Sequence, residues 1–478
     1  MSARRKVIIL VSCCLSLLIV SMDATIVNVA IPAIRSDLHA SPSQLQWVVD
    51  VYTLVLASLL MLAGATGDRF GRRRVFQLGL TVFAFGSLLC SLAPNIETLI
   101  VARLLQAIGG SMMNPVALSI VSQIFTGRVE RARALGIWGS VVGIAMSLGP
   151  IVGGLLIETV SWRAVFWINL PICAAAIILT AVFVPETKST TMRNIDPVGQ
   201  ALAALFLFGI VFALIEGPGP GWTDPLTLGA AVVAVVAFAV FLRYESRRRD
   251  PFVDLRFFRS IPFSAATVTA VSAFAGWGAF LFMMSLYLQG ERGYSAMETG
   301  LIYLPIAIGA LLFSPLSGRL VGRFGARPSL LIAGVFITAA SSMLSFLTAT
   351  TPVRQLLVVF AVFGIGFSMV NAPITNAAVS GMPLERAGAA SAVTSTSRQI
   401  GVSIGVALCG SVAGGALAGT SKDFAAAARP LWFVCVALGL VITALAMYAT
   451  SGRAMRSADR LAPLISGDVA GQRATRAA

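Results

Sequence analysis

Two ionisable side chains sit where a charge is most expensive. Asp23 lies near the middle of a long apolar run beginning at Val7, within LLIVSMDATIVNVAIPAI, and Arg103 lies inside another, IVARLLQAIGG. An Asp at the centre of a bilayer costs roughly 2.5 to 3.5 kcal/mol on insertion scales, so such residues face a protein interior or a wet cavity. Each is the other's obvious partner. An opposite charge favours the ionised acid and desolvation the neutral one, so where the proton resides follows geometry. The pair is therefore a candidate for proton coupling, with a purely structural buried ion pair as the alternative. Asp50 follows Trp47 near the start of the next apolar run and has two readings, an accessory proton carrier or an interfacial anchor. Arg398, in TSTSRQIGVSIG, has no acidic neighbour in its run. It is expected to bond backbone carbonyls or, alternatively, an anionic part of a ligand.

These residues require elements that cross hydrocarbon. The 478 residues are 57% hydrophobic and only 12% charged, with a mean hydropathy of +0.88. A soluble domain carries about 25% charge. Apolar runs of about 20 residues recur, long enough to cross a bilayer as helices that satisfy their own backbone groups. The net charge of +15 does not indicate nucleic acid, because the arginines fall in short connections rather than on one basic face. All six cysteines lie within apolar runs without metal-ligand spacing, so no metal site and no disulfide framework is expected. The basic start, Arg4, Arg5 and Lys6, precedes an apolar stretch too long for a typical signal peptide and reads as a retained first span.

Fourteen spans are expected, near 7 to 34, 47 to 66, 75 to 93, 98 to 122, 134 to 157, 162 to 183, 196 to 215, 225 to 243, 262 to 289, 298 to 318, 328 to 348, 355 to 379, 388 to 412 and 429 to 450. With the N-terminus inside, the inner segments hold 27 Lys or Arg. The outer loops hold only Arg35, Arg163, Arg292, Arg354, Lys422 and Arg429. That asymmetry places both termini in the cytoplasm.

The chain also repeats itself. RFGRR at 69 to 73 returns as RFGAR at 323 to 327, IGGSMMN at 108 to 114 as IGFSMVN at 365 to 371, and ERA at 130 to 132 again at 385 to 387. The three matches keep their order at nearly one offset, which spans eight helices. An even number gives both copies the same direction across the membrane, as in alternating-access transporters. The expected organisation is an N-terminal six-helix bundle at 1–183 and two additional helices with a linker at 184–260. A C-terminal six-helix bundle at 261–450 and a tail at 451–478 complete it. The second copy lacks an equivalent of the Asp23 and Arg103 pair, so ion coupling is assigned to the first.

MDATIVNVAIP at 22 to 32, WRAVFWINLPI at 162 to 172, GATGDRFGRRRV at 64 to 75, RLLQAIGG at 103 to 110 and GIWGSVVGIAMSLGPIVGG at 136 to 154 together resemble the major facilitator superfamily. Within it they resemble the fourteen-span drug:proton antiporters of the EmrB/QacA type. The resemblance implies an all-α integral membrane fold of two six-helix bundles plus two extra transmembrane helices. It implies a gating role for Gly64, Asp68, Arg69, Gly71, Arg72 and Arg73 in the loop after span 2. Gly136, Gly149, Pro150, Gly153 and Gly154 have that role in span 5, where small residues allow close packing and the proline a hinge. It also implies proton coupling through Asp23 and Arg103. Phe76, Ala107 and Ala145 depart from the family pattern.

Candidate substrate contacts are Asn28, Gln106 and Asn114 in the first bundle. In the second they are Trp277, Phe280, Met284, Tyr287, Tyr303, Asn371, Asn376, Arg398 and Gln399. Methionine and aromatic surfaces suit varied ligands, although each aromatic taken singly is more often packing. The expected function is proton-coupled export of small amphipathic molecules, including antibiotics, by a monomer in a bacterial inner membrane. The expected partners are substrate, protons and lipid, with no cofactor beyond the proton gradient. A narrow-specificity exporter of a metabolite or lipid is the alternative within that class, and a non-transporting sensor or scaffold the alternative outside it. Enzyme chemistry is not expected. There is no His-Glu-x-x-His and no phosphate-binding loop, and the chain has one histidine, His39.

Overall fold

The computed structural model describes residues 2–460 except 126, 189–195, 220, 249–250, 252, 381, 383, 419–422, 450, 453, 455 and 459. Most of the tail at 451–478 and the surroundings of Gly136 thus lie outside the described residues. Among those described there is no β-strand. The helices are α1 (Ala3–Leu38), α2 (Pro42–Phe70), α3 (Arg72–Ser91), α4 (Ile96–Ile124) and α5 (Arg128–Thr159). They continue as α6 (Ala164–Phe183), α7 (Pro197–Glu216), α8 (Pro225–Glu245), α9 (Ile261–Glu291), α10 (Ala296–Phe324), α11 (Ala326–Leu344) and α12 (Val353–Val379). The last two are α13 (Leu384–Ala418) and α14 (Phe424–Tyr448). Thirteen of these stretches are long and apolar enough to cross a membrane. The remaining expected span, 388 to 412, falls on α13, a 35-residue stretch kinked at Ala413 and packed against α2, α9 and α14.

Local signals set the helix starts. Ser41 and Gln44 form a capping box with Pro42 in the first turn, and Ser295 and Glu298 form another. Asn95, Asp224 and Asp423 accept from first-turn amides. Each satisfies donors that a helix leaves open at its N-terminus. Several helices run past the expected spans, α1 among them, because Ser2 caps it and polar residues outside the apolar run extend it. Along α8, Leu226, Val232, Val235, Val236 and Val240 are exposed, an apolar outer face that suits lipid rather than water. Helix α9, by contrast, is enclosed along almost its whole length.

The repeat is visible in the packing. In the first six helices α1 packs on α5 and α6, α2 on α4, and α3 on α4 and α6. Eight helices later α9 packs on α13 and α14, α10 on α12, and α11 on α12 and α14. Glycines hold equivalent places. Gly71 and Gly325 end α2 and α10 at φ of 112° and 77°, a region L side chains adopt only at a cost. The halves meet where α2 lies on α13, α5 on α10 and α1 on α9. Helix α7 lies against both α2 and α13, and α8 packs on α7. Glu216, the last residue of α7, accepts a 2.8 Å hydrogen bond from the Trp47 indole and so fastens α7 to α2.

Candidate functional site

Helix α1 carries Asp23 and α4 carries Arg103. The two side chains are 0% and 1% exposed and form a direct ion pair through Arg103 Nη1 and Asp23 Oδ2. Two amides complete the carboxylate shell. Gln106 Nε2 donates to Asp23 Oδ1 at 2.8 Å, and Asn169 Nδ2 donates to the same oxygen at 3.0 Å. Both amides also donate to Ser87 Oγ, at 2.7 and 3.1 Å. Arg103 spends its other donors on Val48 O at 3.1 Å and Gln106 Oε1 at 2.7 Å. Its guanidinium lies 4.2 Å from the centroid of the Tyr52 ring and 5.8 Å from that of Phe166. The Tyr52 hydroxyl donates to Val20 O at 3.3 Å. Every member of this network is buried. A buried ion pair is tolerable only with such geometry and with its remaining lone pairs and protons satisfied.

The two most specific sequence motifs thus meet at one carboxylate. Just before helix α6, Trp162 and Arg163 donate to Asp37 at 2.9 and 2.7 Å. Phe166 then packs beneath Arg103, and Asn169 reaches Asp23. Asn169, Ser87 and Tyr52 were missed as site residues. Asn169 had a signal, a polar residue inside a quoted apolar motif, whereas Ser87 had none. Gln106, assigned to substrate, instead bridges Asp23, Arg103 and Ser87.

Asp50 is placed differently from expectation. It is fully buried rather than at the surface and lies against Ser403 of α13, across the seam between the halves. Among the described residues neither of its carboxylate oxygens has a hydrogen bond of ordinary geometry.

Around it the seam is closed on the side opposite the chain ends. Gln46 Nε2 donates to Val406 O at 2.5 Å, and a Cβ on Gly410 would lie 2.5 Å from the Gln46 amide oxygen. Gln289, held on a π-helical turn at the end of α9, donates to Val29 O at 2.9 Å. Glu158 accepts from the Met297 amide at 3.1 Å. Of the span-5 glycines, Gly154 admits this closure by its approach to α10, while Gly149 and Gly153 seat α5 on α1. A Cβ on Gly149 would clash with Thr25, one on Gly153 would lie 2.8 Å from Ile26 Cγ1, and one on Gly154 would clash with the Ala296 carbonyl. Pro150 is buried inside α5, its carbonyl facing Gly300 of α10.

On the side of the chain ends, Asp68 is held within its own half. It accepts from Arg72 Nε and Nη2 at 3.1 and 2.8 Å, while Arg72 Nη1 donates to Gln123 of α4 at 2.7 Å. Glu186 Oε1 accepts from the Arg73 amide at 3.2 Å and lies where a Cβ on Gly71 would fall. Gly64 approaches Pro115. Arg69 is exposed and lies over Phe70.

Candidate substrate residues divide into two sets. Trp277, Phe280, Met284, Tyr287 and Tyr303 are at most 2% exposed. Trp277 stacks on Phe367 at 4.3 Å, Phe280 on Phe363 at 4.2 Å, and Tyr303 meets Phe360 edge-on. Tyr287 donates to Thr348 O at 2.6 Å. These side chains form the packed interior of the second bundle rather than an open wall. Asn28 is also buried, donating weakly to carbonyls of its own helix. Asn114, Asn371, Arg398 and Gln399 are half-buried and Asn376 is exposed, so these remain accessible. Arg398 does not bond backbone carbonyls, its favoured expectation, but donates to Thr375 Oγ1 at 2.8 Å.

A helical membrane protein of two equivalent bundles, with one buried acid and base pair in the first and a glycine-packed seam between them, has the architecture of a carrier. The chain belongs to the Major Facilitator Superfamily, whose model matches residues 13–406. It is 36% identical over 427 residues to the "Multidrug resistance protein Stp" of Mycobacterium tuberculosis, covering 89% of this chain and 79% of that one. It is 37% identical over 404 residues to the "Tetracenomycin C resistance and export protein" of Streptomyces glaucescens, covering 84% and 74%. It is 38% identical over 397 residues to the "Methylenomycin A resistance protein" of Streptomyces coelicolor, covering 82% of each.

Proposed function

We propose that the protein is a proton-coupled exporter of amphipathic small molecules, antibiotics among them. It acts as a monomer in the bacterial cytoplasmic membrane with both termini inside. The observation that carries the reading is the closed shell around Asp23, in which the carboxylate takes Arg103, Gln106 and Asn169 together. A proton on Asp23 removes the charge that Arg103 faces. The guanidinium then keeps Val48 O, Gln106 Oε1 and the Tyr52 face, so it stays solvated by protein while its grip on α1 is released. Asp50, buried at the seam, is the second candidate for a proton. Its loss or gain there acts directly on the α2 and α13 contact. The seam is closed away from the chain ends and Asp68 is paired inside its own half, which supports an inward-facing state for this structure. The drug-resistance names of the relatives support export, and the distribution of arginine supports the orientation. No group for bond-making chemistry is needed, and the proton gradient supplies the drive.

The test is efflux of ethidium and of neutral antibiotics from vesicles with an imposed pH gradient, comparing the parent with Asp23→Asn. Gradient-driven efflux in the parent and its loss in the variant are expected. Efflux that survives both the substitution and collapse of the gradient would falsify proton coupling. A second reading, narrow specificity, is favoured by relatives named for one compound each. Efflux of one compound alone from a broad panel would establish it.

A further inference from the structure

We propose that Arg398 and Thr375 form an anion-accepting subsite in the second bundle. By it the protein recognises substrates that carry an ionised acid group, a carboxylate or sulfonate, beside an aromatic body. The inference rests on the transport reading above and names the substrate class for the accessible part of that cavity.

The geometry is specific. Arg398 sits well inside α13, fourteen residues from the helix start at Leu384. Among the described residues its guanidinium makes one hydrogen bond, from Nη2 to Thr375 Oγ1 at 2.8 Å, and its Nε is buried without a hydrogen-bond partner. It lies 5.9 Å from the centroid of the Phe274 ring. Among the described residues no carboxylate lies within ion-pair distance of it. Arg103 shows how this protein encloses a guanidinium inside a span: it supplies an acid, two acceptors and an aromatic face. Among the described residues Arg398 has only the aromatic face and one hydroxyl. An uncompensated guanidinium in a span is costly and marks a ligand path or a wet cavity. Around Arg398, Thr375 and Asn376 on α12 are exposed and Asn371 is half-buried like Arg398 itself, polar groups that acyl chains would not solvate and that suit a ligand path.

A planar guanidinium with free parallel donors binds a carboxylate or sulfonate in bidentate fashion. The Thr375 hydroxyl now donates to Asn371 O at 3.1 Å, and it supplies a further donor by turning that proton to a ligand oxygen. Phe274 meets Phe367 edge-on at 5.1 Å, so an aromatic wall continues from the cation into the bundle. A ligand with an acid at one end and a ring beside it matches both features.

The experiment uses the full chain in proteoliposomes with an imposed pH gradient and two fluorescent probes of similar size, 1-anilinonaphthalene-8-sulfonate and ethidium. Transport of both by the parent is expected. Arg398→Gln is expected to raise the half-saturating concentration of the sulfonate at least tenfold and that of ethidium less than twofold, with Arg398→Lys in between. Thr375→Ala is expected to weaken the sulfonate by a smaller factor at unchanged thermal stability, which keeps the test decisive if Arg398→Gln does not fold. Equal effects on both probes, no effect on the sulfonate from either site, or a parent that moves ethidium and not the sulfonate would each overturn the subsite and leave the exporter reading standing. A parent that moves neither probe with the gradient removes both.

Discussion

Asn169→Ala tests whether the amide shell, and not the ion pair alone, holds the Asp23 carboxylate in place. In the structure Oδ2 is taken by Arg103, and Oδ1 accepts from Gln106 at 2.8 Å and Asn169 at 3.0 Å. Hydrogen bonds to a charged group contribute about 1.5 to 3 kcal/mol. Because Gln106 still holds Oδ1 in the variant, the lower end of that range applies, and Asn169→Ala should cost about 1.5 kcal/mol of stability. The assay is thermal unfolding of purified protein in detergent, read beside pH-gradient-driven efflux of ethidium, which should fall with it. Ser87→Ala is the control, since Ser87 accepts from both amides but does not touch Asp23, and its loss should be less than half as large. Unchanged stability and undiminished efflux in Asn169→Ala would refute the reasoning.

Three further outcomes follow from the packing. Gly154→Ala places a methyl against the Ala296 carbonyl, and overpacking of this kind costs about 1 to 3 kcal/mol; efflux of ethidium should fall at least fivefold, and undiminished efflux would show that the α5 and α10 contact is dispensable. Gly71→Ala meets both a φ of 112° and the Glu186 carboxylate, whereas Gly325→Ala, at 77°, meets nothing within 4 Å. Thermal unfolding in detergent should therefore show a larger drop for Gly71→Ala, and equal drops would leave backbone strain alone as the cause. Trp277→Ala removes a buried ring stacked on Phe367 and should cost about 3 to 5 kcal/mol of stability; a variant of full thermal stability with an altered drug spectrum would instead put that ring on the substrate path.

What could be read from the chain alone was whatever carries a visible energetic penalty. Charges inside apolar runs are such a signal, and Asp23 and Arg103 do meet. The repeat was legible because glycines with fixed backbone duties, Gly71 and Gly325, cannot drift without cost. Amides and hydroxyls carry no comparable penalty in a sequence, which is why Asn169, Ser87, Gln46 and Gln289 were not chosen. The aromatic set around Trp277 was ambiguous for another reason. Its stacking partners Phe363 and Phe367 lie on α12, far along the chain, and periodicity on α9 cannot distinguish a wall facing a cavity from one facing a neighbouring helix. Asp50 carried two readings, an accessory proton carrier or an interfacial anchor, and α13 and α7 lie over that part of α2 and bury it, which does not fit the anchor.

The proton site and the closed seam share a helix. From Asp23, α1 runs through Thr25 and Ile26, the residues on which Gly149 and Gly153 of α5 rest, to Val29, whose carbonyl takes Gln289 from the other half. One residue beyond Gly153, Gly154 meets Ala296 of α10. Neither contact has slack, since a single added methyl at Gly149 or Gly154 would already overlap its neighbour. A displacement of α1 by a fraction of an ångström therefore cannot be absorbed locally and must be passed to α5 or α9. The ion pair opposes such a displacement by holding α1 to α4, and a protonated Asp23 opposes it less. Cost and consequence are thereby joined in one rigid element, with the acid at its middle and the intersubunit-like seam two turns further on. Closely packed interfaces switch between discrete arrangements rather than deforming smoothly, so a proton at Asp23 has a mechanical route to the seam that requires no residue outside α1, α5 and the ends of α9 and α10.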